Sequence, residues 1–347
     1  MKPLRFFQSN RSLYIILIAI IILMAILNPT RFFTVGNFIS MSYQIPIIAF
    51  LSFGSMIAFL TGGINLAIIS TTNFTGIITI LTLRAISGQA TYEASVSSSI
   101  IALSVGLIAA LSIGALCGFL IGYLEIPAFL VTLGIGTLLN GVNIVITKGY
   151  TISGFPPFIL DIGNGLLWGI PIPFLIFIVA SVLLSFLLTK TVFGISLYLV
   201  GSNAVAARFS NINIRSVYIR QYMLSSLFAA LTSFVMMGQL NSVKANYAES
   251  YLLVSVLACF LGGVDPFGGF GKTGGMVLSI IILQLVSTGV NLLRLDPYLT
   301  QAMWGLIILL LLGTNYIRSS IREKRRLSAV LQEAKSNPSA TNSASLL

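Results

Sequence analysis

The chain has 347 residues, 56% of them hydrophobic and only 8% charged, with a formal net charge of +11 and no histidine. A soluble domain carries about 25% charged residues, so this much apolar surface calls for a lipid solvent. The basic residues sit at the chain ends and between apolar runs, a pattern of membrane topology rather than of a phosphate-binding face, so nucleic acid is not an expected partner.

Spanning hydrocarbon takes about 20 apolar residues as a helix. The first predicted span is Tyr14 to Leu27, behind Lys2, Arg5 and Arg11. No small-residue cleavage site follows, since the chain continues Asn28-Pro29-Thr30-Arg31, and the run reads as a retained helix rather than a signal peptide. Further spans are predicted at 43–61, 66–83, 98–123, 127–146, 166–189, 219–238, 250–262, 274–292 and 298–316. The expected fold is therefore all-α, a polytopic bundle of about ten transmembrane helices. With the amino terminus inside, only five of the 19 basic residues fall outside: Arg31, Arg84, Lys148, Lys244 and Arg294. That bias places both termini in the cytoplasm. Losing the short eighth span would put the Arg318–Arg326 cluster on the wrong face. Residues 1–328 form one membrane domain, and the Ser-, Asn- and Ala-rich tail over 329–347 is expected to be disordered.

In the fourth span Gly114, Gly118 and Gly122 stack on one helix face, where another backbone can approach. Packing within the bundle is the leading reading and a subunit interface the second. Phe59-Leu60-Thr61-Gly62-Gly63-Ile64-Asn65 is echoed by Phe260-Leu261-Gly262-Gly263-Val264-Asp265, each where a span ends on the inner side. Paired glycine-interrupted segments point to a parallel internal repeat, although two independent glycine helix ends would give the same letters. Gly271-Lys272-Thr273 has Pro266 where a phosphate-binding loop needs glycine, and no strand precedes it, so it is rejected as a nucleotide site.

Cys117 and Cys259 lie in separate apolar runs and make neither a disulfide framework nor a metal set. With histidine absent and Asp161, Asp265 and Asp296 in loops, an intramembrane hydrolase lacks its base or its paired acids. The spans hold neutral polar groups instead: Asn65, Asn73, Asn140, Asn143, Gln284 and Asn291. Such groups suit a pathway for a hydroxyl-rich solute and serve equally as interhelical hydrogen-bond glue. In the loop 190–218, Asn203 is a good N-cap for a short helix over Ala204–Phe209 that displays Arg208 and Phe209, a docking knob or an ordinary surface helix.

Four ordered stretches carry a resemblance over roughly residues 40–317. They are Gly62-Gly63-Ile64-Asn65-Leu66; Ile126-Pro127-Ala128-Phe129-Leu130-Val131-Thr132-Leu133-Gly134; Thr191-Val192-Phe193-Gly194 through Gly201-Ser202-Asn203-Ala204-Val205-Ala206-Ala207-Arg208-Phe209-Ser210; and Gly262-Gly263 with Gly268-Gly269, Gly271 and Gly274. The chain resembles the permease subunits of ABC importers of the ribose/xylose/galactose type, which include autoinducer-2 permeases. The resemblance implies a second permease subunit, identical or related, a cytoplasmic ABC ATPase docked on the segment 201–215, and an extracytoplasmic solute-binding protein. It makes Asn203, Ala207, Arg208, Phe209 and Ser210 coupling candidates. It implies no cofactor bound by this chain, with ATP and Mg used by the partner ATPase, and a multi-pass location in a bacterial cytoplasmic (inner) membrane.

The first motif usually reads Gly-Gly-Ile-Asp-Leu-Ser-Val-Gly in that family. Here Asn65, Ala67 and Ile69 depart from it, and Ala128 stands where a second proline is common. The expected solute is a small polar molecule, foremost a sugar. A nucleoside or other non-sugar solute on the same machine, or a secondary transporter working alone, are the alternatives.

Overall fold

The computed structural model describes residues 10–88, 90–294, 296, 299, 301–307, 309 and 313. In chain order the first helices are α1 (Asn10–Leu27), α2 (Val35–Leu60), α3 (Ile68–Ser87), α4 (Val96–Gly122), α5 (Ala128–Thr147) and α6 (Pro157–Asn164). There follow α7 (Ile172–Lys190), α8 (Val192–Ser202), α9 (Ala204–Phe209), α10 (Ile214–Leu240), α11 (Tyr251–Leu261) and α12 (Thr273–Leu292). A 3-10 turn (Thr91–Glu93) and two antiparallel pairs of two-residue strands, β1 (Ile152–Ser153) with β4 (Ser242–Val243) and β2 (Leu166–Leu167) with β3 (Ile170–Pro171), complete the described elements. The molecule is a polytopic helical bundle. Seven of its described helices are long and apolar enough to cross a membrane: α2, α3, α4, α5, α7, α10 and α12.

At the centre stands α2, in which every residue from Ile45 to Leu60 is buried. A helix apolar on all sides belongs inside other helices, and α7, α10, α11 and α12 pack around it. Phe53 fixes part of that core, edge-on to Phe228 of α10 at 5.6 Å and stacked on Phe177 of α7 at 6.1 Å between ring centroids.

The α4 glycines face α10. A Cβ on Gly114 would lie 2.5 Å from the Tyr222 carbonyl oxygen, one on Gly118 would overlap Ile219 Cα, and one on Gly122 would lie 3.3 Å from Arg215 Cα. The stripe thus lets two backbones meet inside the chain.

Several predicted spans begin or end elsewhere, among them α3, which runs on to Ser87, and α10, which starts at Ile214. The helix α2 starts at Val35 instead of 43, because Ser40, Ser42 and Gln44 dilute the hydropathy without breaking the helix. The span expected from 166 begins at Ile172, since Trp168 and Gly169 both have positive φ and turn the chain into the β2–β3 hairpin. The eighth expected span, 250–262, is found within one residue of its expected bounds as the short helix α11. The helix α11 covers 11 residues, about 16 Å at 1.5 Å per residue and half of a bilayer core. Residues 299, 301–307, 309 and 313 of the span expected at 298–316 are helical. The tail 329–347 and the Arg318–Arg326 cluster lie outside the described residues.

One face of the bundle, called here the α9 face, gathers the C-terminal ends of α2 and α11, the α4–α5 turn, α8, α9 and the start of α10. The opposite face is tied by α6 and the β1–β4 pair. There Asn164 Nδ2 donates to the Gly238 carbonyl at 2.6 Å and Tyr43 Oη to the Asn164 carbonyl at 2.9 Å.

Candidate functional site

On the α9 face the local sequence explains a projecting helix. The Asn203 side-chain oxygen accepts from the Ala206 N–H at 3.0 Å and caps α9 over Ala204–Phe209, the range its sequence predicts. Ala207 is buried beneath it, so the helix is seated on one side. Ser210 closes it by donating to the Ala206 carbonyl at 3.1 Å. Phe209, at the end, is 89% exposed.

Two arginines bind this segment to the turn between α4 and α5. Arg208 Nη2 lies 3.8 Å from Glu125 Oε1, and the Arg215 guanidinium sits over the Tyr123 ring at 5.0 Å. Exposed ion pairs contribute less than about 1 kcal/mol, so the Arg208–Glu125 pair orients α9 more than it stabilises the fold. Between the two elements runs a cleft of about 420 Å³, lined among others by Thr61, Gly63, Glu125, Val205, Arg208 and Tyr218.

Beneath α9 the glycine motifs meet. The Gly62 N–H donates to the Phe59 carbonyl and the Gly63 N–H to the Ala58 carbonyl; the Gly263 and Val264 N–H groups donate likewise to Phe260 and Cys259. Gly62 and Gly263 both have φ of +77°. The two helices therefore end in the same six-residue cap with a left-handed glycine, and Phe59 touches Phe260 with centroids 5.7 Å apart. The loop after α11 closes on this junction. The Gly269 N–H donates to the Leu60 carbonyl at 2.8 Å, and a Cβ on Gly201 of α8 would overlap that same carbonyl. The glycine-rich stretch is thus a backbone-to-backbone seam. Tyr198 of α8 pins it further, donating to the Gly271 carbonyl at 2.8 Å. Burial raises that phenol's pKa, which keeps the donor protonated.

The six polar candidates are dispersed through the bundle. Asn65 Nδ2 donates to Ser225 Oγ at 2.9 Å, its Oδ1 accepts from the Ala67 N–H, and Ser225 in turn donates to the Gly54 carbonyl. Asn73 Nδ2 donates to the Ala245 carbonyl at 2.6 Å and its Oδ1 accepts from the Ala248 N–H. Asn143 donates to the Ser70 carbonyl at 3.1 Å, and Gln284 to Gln44 at 2.9 Å and Thr288 at 3.1 Å. Asn140 is half-buried and Asn291 exposed. Four of the six thus tie segments together, and none of the six lines the cleft under α9.

Two features of this face go unread in the sequence. Gln221 bridges Thr61 and the Ala58 carbonyl; with Ser225 one turn later, it is the polar pair on one face of α10 that could have flagged it. Phe267, 87% exposed in the glycine seam, is an aromatic side chain in a loop that composition alone marks only as a turn.

Residues 37–312 match the family described as branched-chain amino acid transport system / permease component. The ribose import permease protein RbsC of Bacillus subtilis is 30% identical over 85% of this chain and 88% of its own length. The D-allose transport system permease protein AlsC of Escherichia coli is 23% identical, covering 89% and 92% respectively. The autoinducer 2 import system permease protein LsrC of Yersinia pestis is 29% identical over 88% and 85%. No solved structure matches the chain. The matched span takes in nearly all of the central helix α2, the α9 face and, among the described residues, the six other helices long and apolar enough to cross a membrane, so the chain belongs to this permease family of integral membrane proteins.

Proposed function

We propose that the chain is the membrane-spanning permease subunit of an ATP-driven, binding-protein-dependent importer that moves a small sugar inward. The observation that carries the reading is the α9 face: a capped, half-seated helix with Arg208 and an almost bare Phe209, set on rigid glycine junctions. Relatives named as ribose, allose and autoinducer-2 import permeases support the solute class. In this reading the α9 face and both termini are cytoplasmic in a bacterial inner membrane. An ATPase that consumes ATP with Mg docks over Phe209, Val205 and Phe267. A solute-binding protein delivers the sugar to the opposite face, and a second permease, identical or related, completes the pathway.

The contacts support a coupling route. A push on α9 is carried by Arg208 to Glu125, in the turn from which α5 starts, and Arg215 at the start of α10 holds the same turn through Tyr123. Replacing Arg208 with glutamate sets two acids against each other and is expected to cut ATPase co-purification and ATP-dependent uptake together. Unchanged co-purification and uptake would remove Arg208 from the interface. The conservative variant, Arg208→Lys, should keep part of both, because it keeps the charge while losing the planar fork.

A further inference from the structure

We propose that the Leu166–Pro171 hairpin is a lipid anchor, seated in the headgroup layer of the leaflet opposite the α9 face with Trp168 at its tip. The hairpin reads Leu-Leu-Trp-Gly-Ile-Pro and carries no charge. Leu166, Leu167 and Ile170 are 58%, 47% and 42% exposed, and Trp168 is 93% exposed. Trp168 also occupies the first of two left-handed turn positions, with φ of +53°, followed by Gly169 at +81°. Tight hairpin turns of this kind select asparagine, aspartate or glycine, and a bulky side chain there is costly. An indole kept in such a place is explained by what the indole touches.

The neighbouring helix says what that is. The 19 residues of α7 make about 28 Å at 1.5 Å per residue, close to the roughly 30 Å of hydrocarbon. Its exposed side chains Ile178, Val179, Val182, Leu183 and Phe186 form one apolar face, and it is the least buried of the seven long helices. That face needs lipid, and the hairpin continues it at the point where α7 leaves the hydrocarbon. Tryptophan prefers this depth, its ring among apolar chains and its N–H among polar groups. The Ile172 N–H donates to the Gly165 carbonyl at 2.9 Å, which fixes the hairpin to the helix start, so anchoring the tip sets the height of α7.

The chain has two tryptophans, Trp168 and Trp304, so the full-length Trp304→Phe variant in phosphatidylcholine vesicles reports on Trp168 alone. We expect emission blue-shifted from that of tryptophan in water, strong quenching by lipid nitroxides near the headgroup, weaker quenching by nitroxides at the chain end, and little by iodide. Quenching by iodide without lipid quenching would overturn the anchor. So would loss of lipid quenching on adding the solute-binding protein, or its appearance only at protein densities that pair two copies. If Trp304→Phe fails to accumulate, the difference between unmodified chain and Trp168→Phe reads the same signal.

Discussion

Asn73 holds a stretch of non-helical backbone that would otherwise be buried without partners. Its amide serves both the Ala245 carbonyl and the Ala248 N–H, and an unmet buried group costs about 1–3 kcal/mol. Asn73→Leu is therefore expected to lower the melting temperature in detergent, whereas an unchanged melting curve would mean that water or another side chain takes its place. Glycines can be sorted on the same grounds. A Cβ on Gly118 meets the α10 backbone, while one on Gly134 meets nothing within 4 Å. Gly118→Leu should abolish accumulation of folded protein and Gly134→Ala should leave the melting temperature in place, both read by detergent melting after size exclusion. Equal behaviour of the two would contradict the α4–α10 packing. These roles are hard to read from sequence, because an asparagine or glycine in an apolar run looks alike whether it faces a helix, a loop or lipid.

At the scale of elements, α9 and α11 show what a local signal can and cannot reveal. The bounds of α9 were legible because an N-cap acts over three residues, from Asn203 to Ala206. Removing it should weaken the helix by about 1 kcal/mol. Under the proposed function, Asn203→Ala then lowers uptake per ATP hydrolysed, and Asn203→Asp, which still caps, restores most of it. If Asn203→Asp were as impaired as Asn203→Ala, the side chain would matter for something other than the cap. The shortness of α11 was legible from its apolar run, but that run does not disclose that Lys244–Ser250 folds as turns pinned by α3. The β2–β3 hairpin was misread for a related reason: Leu166 to Pro171 carries no charge and runs straight into an apolar helix, and only the backbone shows the turn. The glycine echo was legible as letters. Its meaning, two matched helix ends brought together with Gly201 and Gly269 between them, depends on contacts across more than 130 residues.

For the whole molecule, composition and hydropathy were enough to place the chain in a bilayer, and the ordered motifs enough to place it near sugar importers. Which side chains line a solute path was not legible, since four of the six polar candidates are spent on holding the bundle together. Division of labour is the central claim: this chain supplies the passage, and a partner bound at the α9 face supplies the energy. The direct test is reconstitution in sealed vesicles with the solute-binding protein, the ATPase and ATP, measuring entry of labelled ribose or allose. The account predicts uptake that needs ATP and both partners, is lost with Arg208→Glu, and is indifferent to a proton uncoupler. Uptake by the chain alone, driven by an ion gradient and abolished by the uncoupler, would contradict it.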